Sequence, residues 1–223
     1  MRILLPPSEG KATPEGGAPV DLAALAFADE LSELREVLID ALDPELLEAP
    51  AAPAAGVYTG VLYQRLQLAE LPAAARRRAA KRVLIASALW GFVRLEDRIP
   101  SYRLPPSTRF DGVGPLAAWW REALAAAMPD EPGEVIVDMR SGAYTAAWKP
   151  KYAQLLSVRA FREEKGERKA VSHMAKAVRG DVARALLLAR AEPRSAEDMA
   201  AAAAGAGFEV ELTPESLDVI VES

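Results

Sequence analysis

The chain has 223 residues, 51% hydrophobic and 26% charged, with no Cys, one His and a formal charge of −5. A chain of this length buries roughly 70% of the surface its unfolded form exposes, so one domain can hold a core without a metal or a disulfide. Lack of Cys excludes disulfides, thiolate nucleophiles and Cys-held zinc or iron–sulfur clusters, and the lone imidazole, His173, leaves too few ligands for an ordinary zinc site. No metal and no cofactor is expected.

Charge divides the chain into three parts. Residues 1–75 carry 4 Lys/Arg against 12 Asp/Glu, residues 76–190 carry 22 against 12, and residues 191–223 carry 1 against 8. A basic middle between acidic ends can place a positive field on one face and collect phosphates despite the overall acidity. The competing reading is a set of solvated helix faces.

In chain order, Arg2 to Leu5 reads as a short strand stopped by Pro6 and Pro7. That apolar run is too short for a secretory segment, so a cytoplasmic protein away from membranes is expected. A polar loop carries Lys11. Leu31, Leu34, Leu38 and Leu42 then recur at helical spacing between acidic residues. Glu48 to Gly56, rich in Ala and Pro, suits a linker or surface loop. Tyr58-Thr59-Gly60-Val61-Leu62 is expected to lead into a helix through Leu68, and a second helix is expected from Ala73 to Lys81. Val83 to Leu89 and Val135 to Met139 are continuous apolar runs of the kind that form strands buried on both faces. Between them lie an Arg- and Pro-rich loop, Arg94 to Gly114, and a helix from Pro115 to Met128 with Trp119 and Trp120 assigned to the core.

Leu155 to Phe161 and Lys169 to Ser172 read as a hairpin around Glu163-Glu164-Lys165-Gly166-Glu167. A helix from Met174 to Arg190 follows, then a helix capped by Ser195 and ended by Gly205, then strands Phe208 to Leu212 and Leu217 to Val221. The order gives an α/β class: one compact domain, residues 1–223, with a mixed sheet flanked by helices.

Several motifs fail on inspection. Gly10-Lys11 is no phosphate loop, because Leu5 stands where a Gly is needed and Ala12 where a Ser or Thr is needed. Ser8-Glu9-Gly10-Lys11 has serine-x-x-lysine spacing but follows two prolines and lacks its companion motifs. What survives is a set of polar segments at predicted strand ends: Lys11, Ser87, Asp138 to Tyr144, and Ser172 with Lys176 and Arg179. In open α/β sheets ligands gather at such ends, and a helix start favours an anion.

Five blocks in order carry a resemblance: Ile3 to Lys11; Val57-Tyr58-Thr59-Gly60-Val61; Ser87 to Arg94 continuing to Pro100-Ser101-Tyr102-Arg103-Leu104; Val135 to Tyr144 with Lys149-Pro150-Lys151; and Ser172 to Gly180. Together they resemble the YaaA family of peroxide-stress proteins. The resemblance implies a cytoplasmic α/β domain with a positively charged cleft, a role in limiting iron-dependent peroxide damage, and DNA binding through a helix-hairpin-helix element. The chain departs from the family pattern in reading Pro-Pro-Ser-Glu-x-Lys at Pro6 to Lys11, in lacking the acid before Tyr144, and in placing the Ala/Pro stretch where the helix-hairpin-helix is expected.

Two functional readings follow. In the first, sequence-independent DNA binding, Arg76, Arg77, Arg78, Arg94, Arg103, Lys149, Lys151, Lys176 and Arg179 contact phosphates while Tyr58, Tyr102 and Tyr144 stack on bases. In the second, the partner is a phosphate-bearing small molecule held by Ser172, Lys176 and Arg179, Lys11 is a candidate acid, base or amine nucleophile, and Ser87, Asp138 and Tyr144 orient substrate. A deep pocket favours the small molecule and a long open groove favours nucleic acid. No obligate protein partner is expected. Direct iron storage lacks ligands, since only carboxylates remain.

Overall fold

The structure, a computed structural model, describes residues 1–164 and 167–221. Lys165 and Gly166 of the expected turn, and the side chains of Ser172 and His173, lie outside the described residues. The first half contains β1 (Arg2–Leu5), α1 (Ala28–Leu42), β2 (Ala52–Pro53), α2 (Ala54–Val57), α3 (Val61–Leu66), α4 (Ala73–Arg82), β3 (Val83–Ser87) and β4 (Gly91–Arg94). After short β5 (Arg98–Ile99), β6 (Arg109–Phe110) and β7 (Gly114–Pro115) come α5 (Leu116–Ala127), β8 (Val135–Asp138) and α6 (Gly142–Thr145). The chain continues through β9 (Gln154–Glu164), β10 (Glu167–Ala170), α7 (Ser172–Leu188), α8 (Ala196–Gly205), β11 (Glu209–Leu212) and β12 (Ser216–Val221).

The apolar runs β1, β3 and β8 pair in parallel, with Leu4 opposite Leu84 on one side and Asp138 on the other. Every residue of β3 and β8 is buried, as a strand covered on both faces requires. The main path of the sheet runs β11-β12-β9-β8-β1-β3-β4, with antiparallel strands at both edges. Taken in sequence, its five parallel strands stand in the order second, first, third, fourth, fifth, so connections leave β1 in opposite directions. Among the helices, α1 packs with α5, while α3 and α4 pack with α7. β12 occupies one edge of β9, and β10 takes the other edge past the point where β8 ends. No described helix is long and apolar enough to cross a membrane.

Four expectations are revised. The strand expected to Leu89 stops at Ser87, whose hydroxyl accepts the N–H groups of Leu89 and Trp90 and so turns the chain. Gly91, at φ 70, then opens β4, a strand the sequence reading does not assign and whose last residue, Arg94, falls in the expected loop. Ser172 begins α7 instead of ending a strand. Glu48 to Gly56 is no linker: Ala51 and Ala54 are fully buried, β2 pairs with β5, and the N–H groups of Ala54 and Ala55 donate to the carbonyls of Asp97 and Leu95. Small side chains let this backbone pack closely enough to make those bonds.

Trp120 is buried, with its indole N–H on Ala88 O at 2.9 Å, and Trp119 is half-buried. Arg35 is the unexpected core residue. It is 0% exposed and donates to the carbonyls of Trp90, Ala26 and Phe92, pinning α1 to β4. Burial pulls its pKa down to about 10.

Candidate functional site

The loop after β1 is tied to the turn before α3. Ser8 Oγ donates to Gly10 O at 2.6 Å and accepts from Thr59 N, while Tyr63 Oη donates to Pro6 O at 2.7 Å. Lys11 forms a bridge to Tyr58, and a Cβ at Gly60 would stand 2.8 Å from Ser8 Cβ, so only glycine lets the two segments meet. This places Lys11 Nζ 4.3 Å from the Tyr102 ring centre and 5.6 Å from that of Tyr58, donating to Ser8 O at 3.0 Å. Burial lowers its pKa from 10.5 to about 8, against a weaker upward pull from Glu9.

Behind the amine runs a hydroxyl chain. Ser87 Oγ and Tyr102 Oη are 2.7 Å apart, and Tyr102 Oη and Tyr58 Oη 2.9 Å. Burial holds the phenols protonated, raising Tyr102 to about 12 and Tyr58 and Tyr63 well above the ordinary value. Tyr58 stacks on Tyr63 and Tyr102 meets Trp90 edge-on. These rings are committed to the wall and offer no free face to a base.

At the end of β8, the Asp138 carboxylate receives Arg140 through Nε at 2.8 Å and Nη2 at 2.9 Å, both side chains being buried. Arg140 also donates to the carbonyls of Tyr144 and Trp148, which shapes the turn carrying Ser141 and Tyr144. Burial keeps the Tyr144 phenol protonated. On the far side, α7 presses against α3 at Gly180, and its exposed Lys176 and half-buried Arg179 face the opening. Arg179 Nε donates to Val158 O at 3.2 Å, and burial lowers its pKa while Asp138 opposes the shift.

These segments enclose a cleft of about 880 Å³. It sits at the carboxyl ends of β1 and β8, where the strand order reverses, the position at which doubly wound sheets bind ligands. Its described lining carries the cations Lys11, Arg103, Lys176 and Arg179 and a single carboxylate, Glu9. A shallower depression at the opposite end of the sheet is bordered by the paired charges Arg2 with Glu134 and Arg82 with Glu192.

Lys11, Tyr102, Arg103, Tyr144, Lys176 and Arg179 thus line one cleft. Ser87 lies behind it, fully engaged with Tyr102 and the turn. Arg94 ends the antiparallel β4, opposite Leu84, and rests over Phe27 away from the cleft. Lys149 and Lys151 are exposed on the segment that returns to the amino-terminal end of β8, where Lys151 N donates to Asp130. Arg78 caps the carbonyls of Leu187 and Ala189, leaving Arg76 and Arg77 exposed on α4. The Ser172 hydroxyl lies outside the described side chains.

Sequence reading missed Tyr63 and Arg140. The helical spacing of Tyr63 with Leu62 and Leu66 signals only a buried face. A charge two residues from Asp138 is an ordinary strand neighbour until the turn folds it back.

A family model described as peroxide stress protein YaaA matches residues 18–212. A UPF0246 protein of Streptomyces coelicolor is 42% identical, across 99% of this chain and 98% of its own length. A UPF0246 protein of Corynebacterium glutamicum is 34% identical across 99% and 100%, and one of Idiomarina loihiensis 29% across 82% and 73%.

Proposed function

The chain belongs to the peroxide stress protein YaaA family, and we propose that it acts there as a cytoplasmic protein binding a phosphate-bearing small molecule in the cleft at the strand reversal. The observation that carries this reading is the charge of the lining, four cations to one carboxylate within a volume suited to a small ligand. Lys176 and Arg179 hold the phosphate from the first turns of α7, where the helix dipole adds to their field. Arg103 adds a further cation to the lining, and Lys11 meets the remainder of the ligand. One carboxylate among the described lining residues is too few to hold iron in this cleft, and the reading therefore assigns protection against iron-dependent peroxide damage to the bound molecule.

The placement of Arg94, Lys149 and Lys151 away from the cleft argues against one continuous nucleic-acid track. DNA binding stands as the second reading because Arg76 and Arg77 remain exposed on α4. Calorimetric titration with inorganic phosphate, ribose 5-phosphate and AMP, beside anisotropy with single-stranded and duplex oligonucleotides over a salt series, separates the two. The expected result is saturable phosphate-ligand binding that weakens at least tenfold, about 1.4 kcal/mol, in Lys176→Ala/Arg179→Ala. Oligonucleotide binding that persists in that variant, with no small-ligand binding in the wild type, refutes the cleft as the site.

A further inference from the structure

We propose that Lys11 is a Schiff-base lysine whose amine, lodged over the Tyr102 ring in the same cleft as Lys176 and Arg179, captures the carbonyl group of a small phosphorylated aldehyde or ketone. The inference rests on the phosphate-binding reading and adds to it the chemistry of the ligand's other end.

The surroundings of Lys11 differ from those of a salt-bridging or solvated lysine. Its one hydrogen-bond acceptor among the described residues is the Ser8 carbonyl, at 3.0 Å. The other near neighbours are two tyrosine rings whose hydroxyls are occupied with each other and with Ser87. Those phenols stay neutral, so no phenolate forms to trap an ammonium. Contact with a ring face favours the cation, yet burial outweighs it, and with a pKa of about 8 roughly a quarter of the amine is free at pH 7.5, against about one part in a thousand for an ordinary lysine. By contrast, Lys149, Lys151 and Lys176 are exposed, and Lys169 is exposed and paired with Glu164.

The rest of the cleft fits a carbonyl compound better than a nucleobase. Tyr58, Tyr63 and Tyr102 are packed on their neighbours, which leaves Tyr144 alone among the described lining tyrosines to stack on a base. Tyr144 and Ser141 line the cleft as neutral hydroxyls, able to hydrogen-bond a carbonyl or sugar oxygen. The chemistry needs nothing else. The Nζ lone pair adds to the carbonyl carbon, both protons of the amine leave with the carbonyl oxygen as water, and a C=N bond replaces C=O with no change of oxidation state.

The test is reductive trapping. The protein is incubated with glyceraldehyde 3-phosphate at pH 7.5, reduced with cyanoborohydride and mapped by peptide mass spectrometry. The expected result is one reduced adduct on Lys11, at least tenfold above any other lysine and absent from Lys11→Arg. It should fall at least tenfold with unphosphorylated glyceraldehyde and in Lys176→Ala/Arg179→Ala. Adducts spread evenly over Lys11, Lys149, Lys151 and Lys169 overturn the proposal. Titration of the same preparation with inorganic phosphate keeps the two readings apart. Phosphate binding without a Lys11 adduct overturns the Schiff base and leaves the phosphate site intact. Absence of both overturns both, and a Lys11 adduct indifferent to the aldehyde's phosphate overturns the phosphorylated class of substrate.

Discussion

Gly180→Ala tests the contact that sets the width of the cleft. A Cβ at Gly180 would lie 2.3 Å from Leu62 O, 2.8 Å from Arg65 Cβ and 3.1 Å from Leu62 C. The nearest atom belongs to the backbone of α3, so no rotamer change relieves the clash. Moving the contact from 2.3 Å back to 3.0 Å takes about 0.7 Å of separation between α3 and α7. Overpacking of this kind costs about 1–3 kcal/mol, and here backbone must move, so the upper end applies; alanine's better helix propensity returns about 1 kcal/mol. The net loss is about 2 kcal/mol, which for a chain of this size lowers the melting temperature by about 4–8 °C. Leu62 and Tyr63 on α3 and Lys176 and Arg179 on α7 line the same cleft, so phosphate affinity should fall with stability. Thermal melts followed by circular dichroism make the measurement. Gly205→Ala is the control, since nothing lies within 4 Å of its new Cβ, and it should be neutral or stabilising by up to ~1 kcal/mol. A Gly180→Ala protein that melts within about 1 °C of wild type refutes the packing argument.

Asp138→Ala strands the buried Arg140 guanidinium and should cost about 3–5 kcal/mol in urea unfolding; a loss below about 1 kcal/mol would show that the pair does not hold the β8 turn. Lys11 carries a pH signature. Its pKa falls from 10.5 unfolded to about 8 folded, so the unfolded chain binds more protons between those values and Lys11's contribution to stability rises across that window. Below pH 8 the native state bears the full cost of the buried charge. The stability of wild type relative to Lys11→Met should therefore climb between pH 7 and pH 10 in denaturant titrations, and a flat difference would mean that the amine is not desolvated.

The buried strands were legible because covering on both faces demands unbroken apolar runs, which β3 and β8 supply. Lys11 was legible as a cleft residue because it follows the apolar run of β1, and Lys176 and Arg179 because they sit near the start of a helix, where an anion is favoured. Arg94, Lys149 and Lys151 looked equivalent by charge, but β4 runs antiparallel and the segment after α6 doubles back, and neither reversal leaves a trace in composition. The role of Glu48 to Gly56 was hidden because alanine reads the same in a loosely held loop and in a tightly packed one. Arg35 was hidden in an amphipathic helix, where the carbonyls of Trp90 and Phe92 that make its burial tolerable belong to a turn and strand more than fifty residues away.

The lining of the cleft has a consequence for where such a protein can work. Two-electron oxidation by hydrogen peroxide falls first on sulfur, converting thiols to sulfenic acids and thioethers to sulfoxides. The chain has no Cys, and its described cleft residues include no Met; Met174, exposed on α7, is outside the lining. Lysine amines, guanidinium groups and buried phenols give that reaction no sulfur to attack. A site assembled from them keeps its shape and charge while thiol-dependent proteins around it are being switched off.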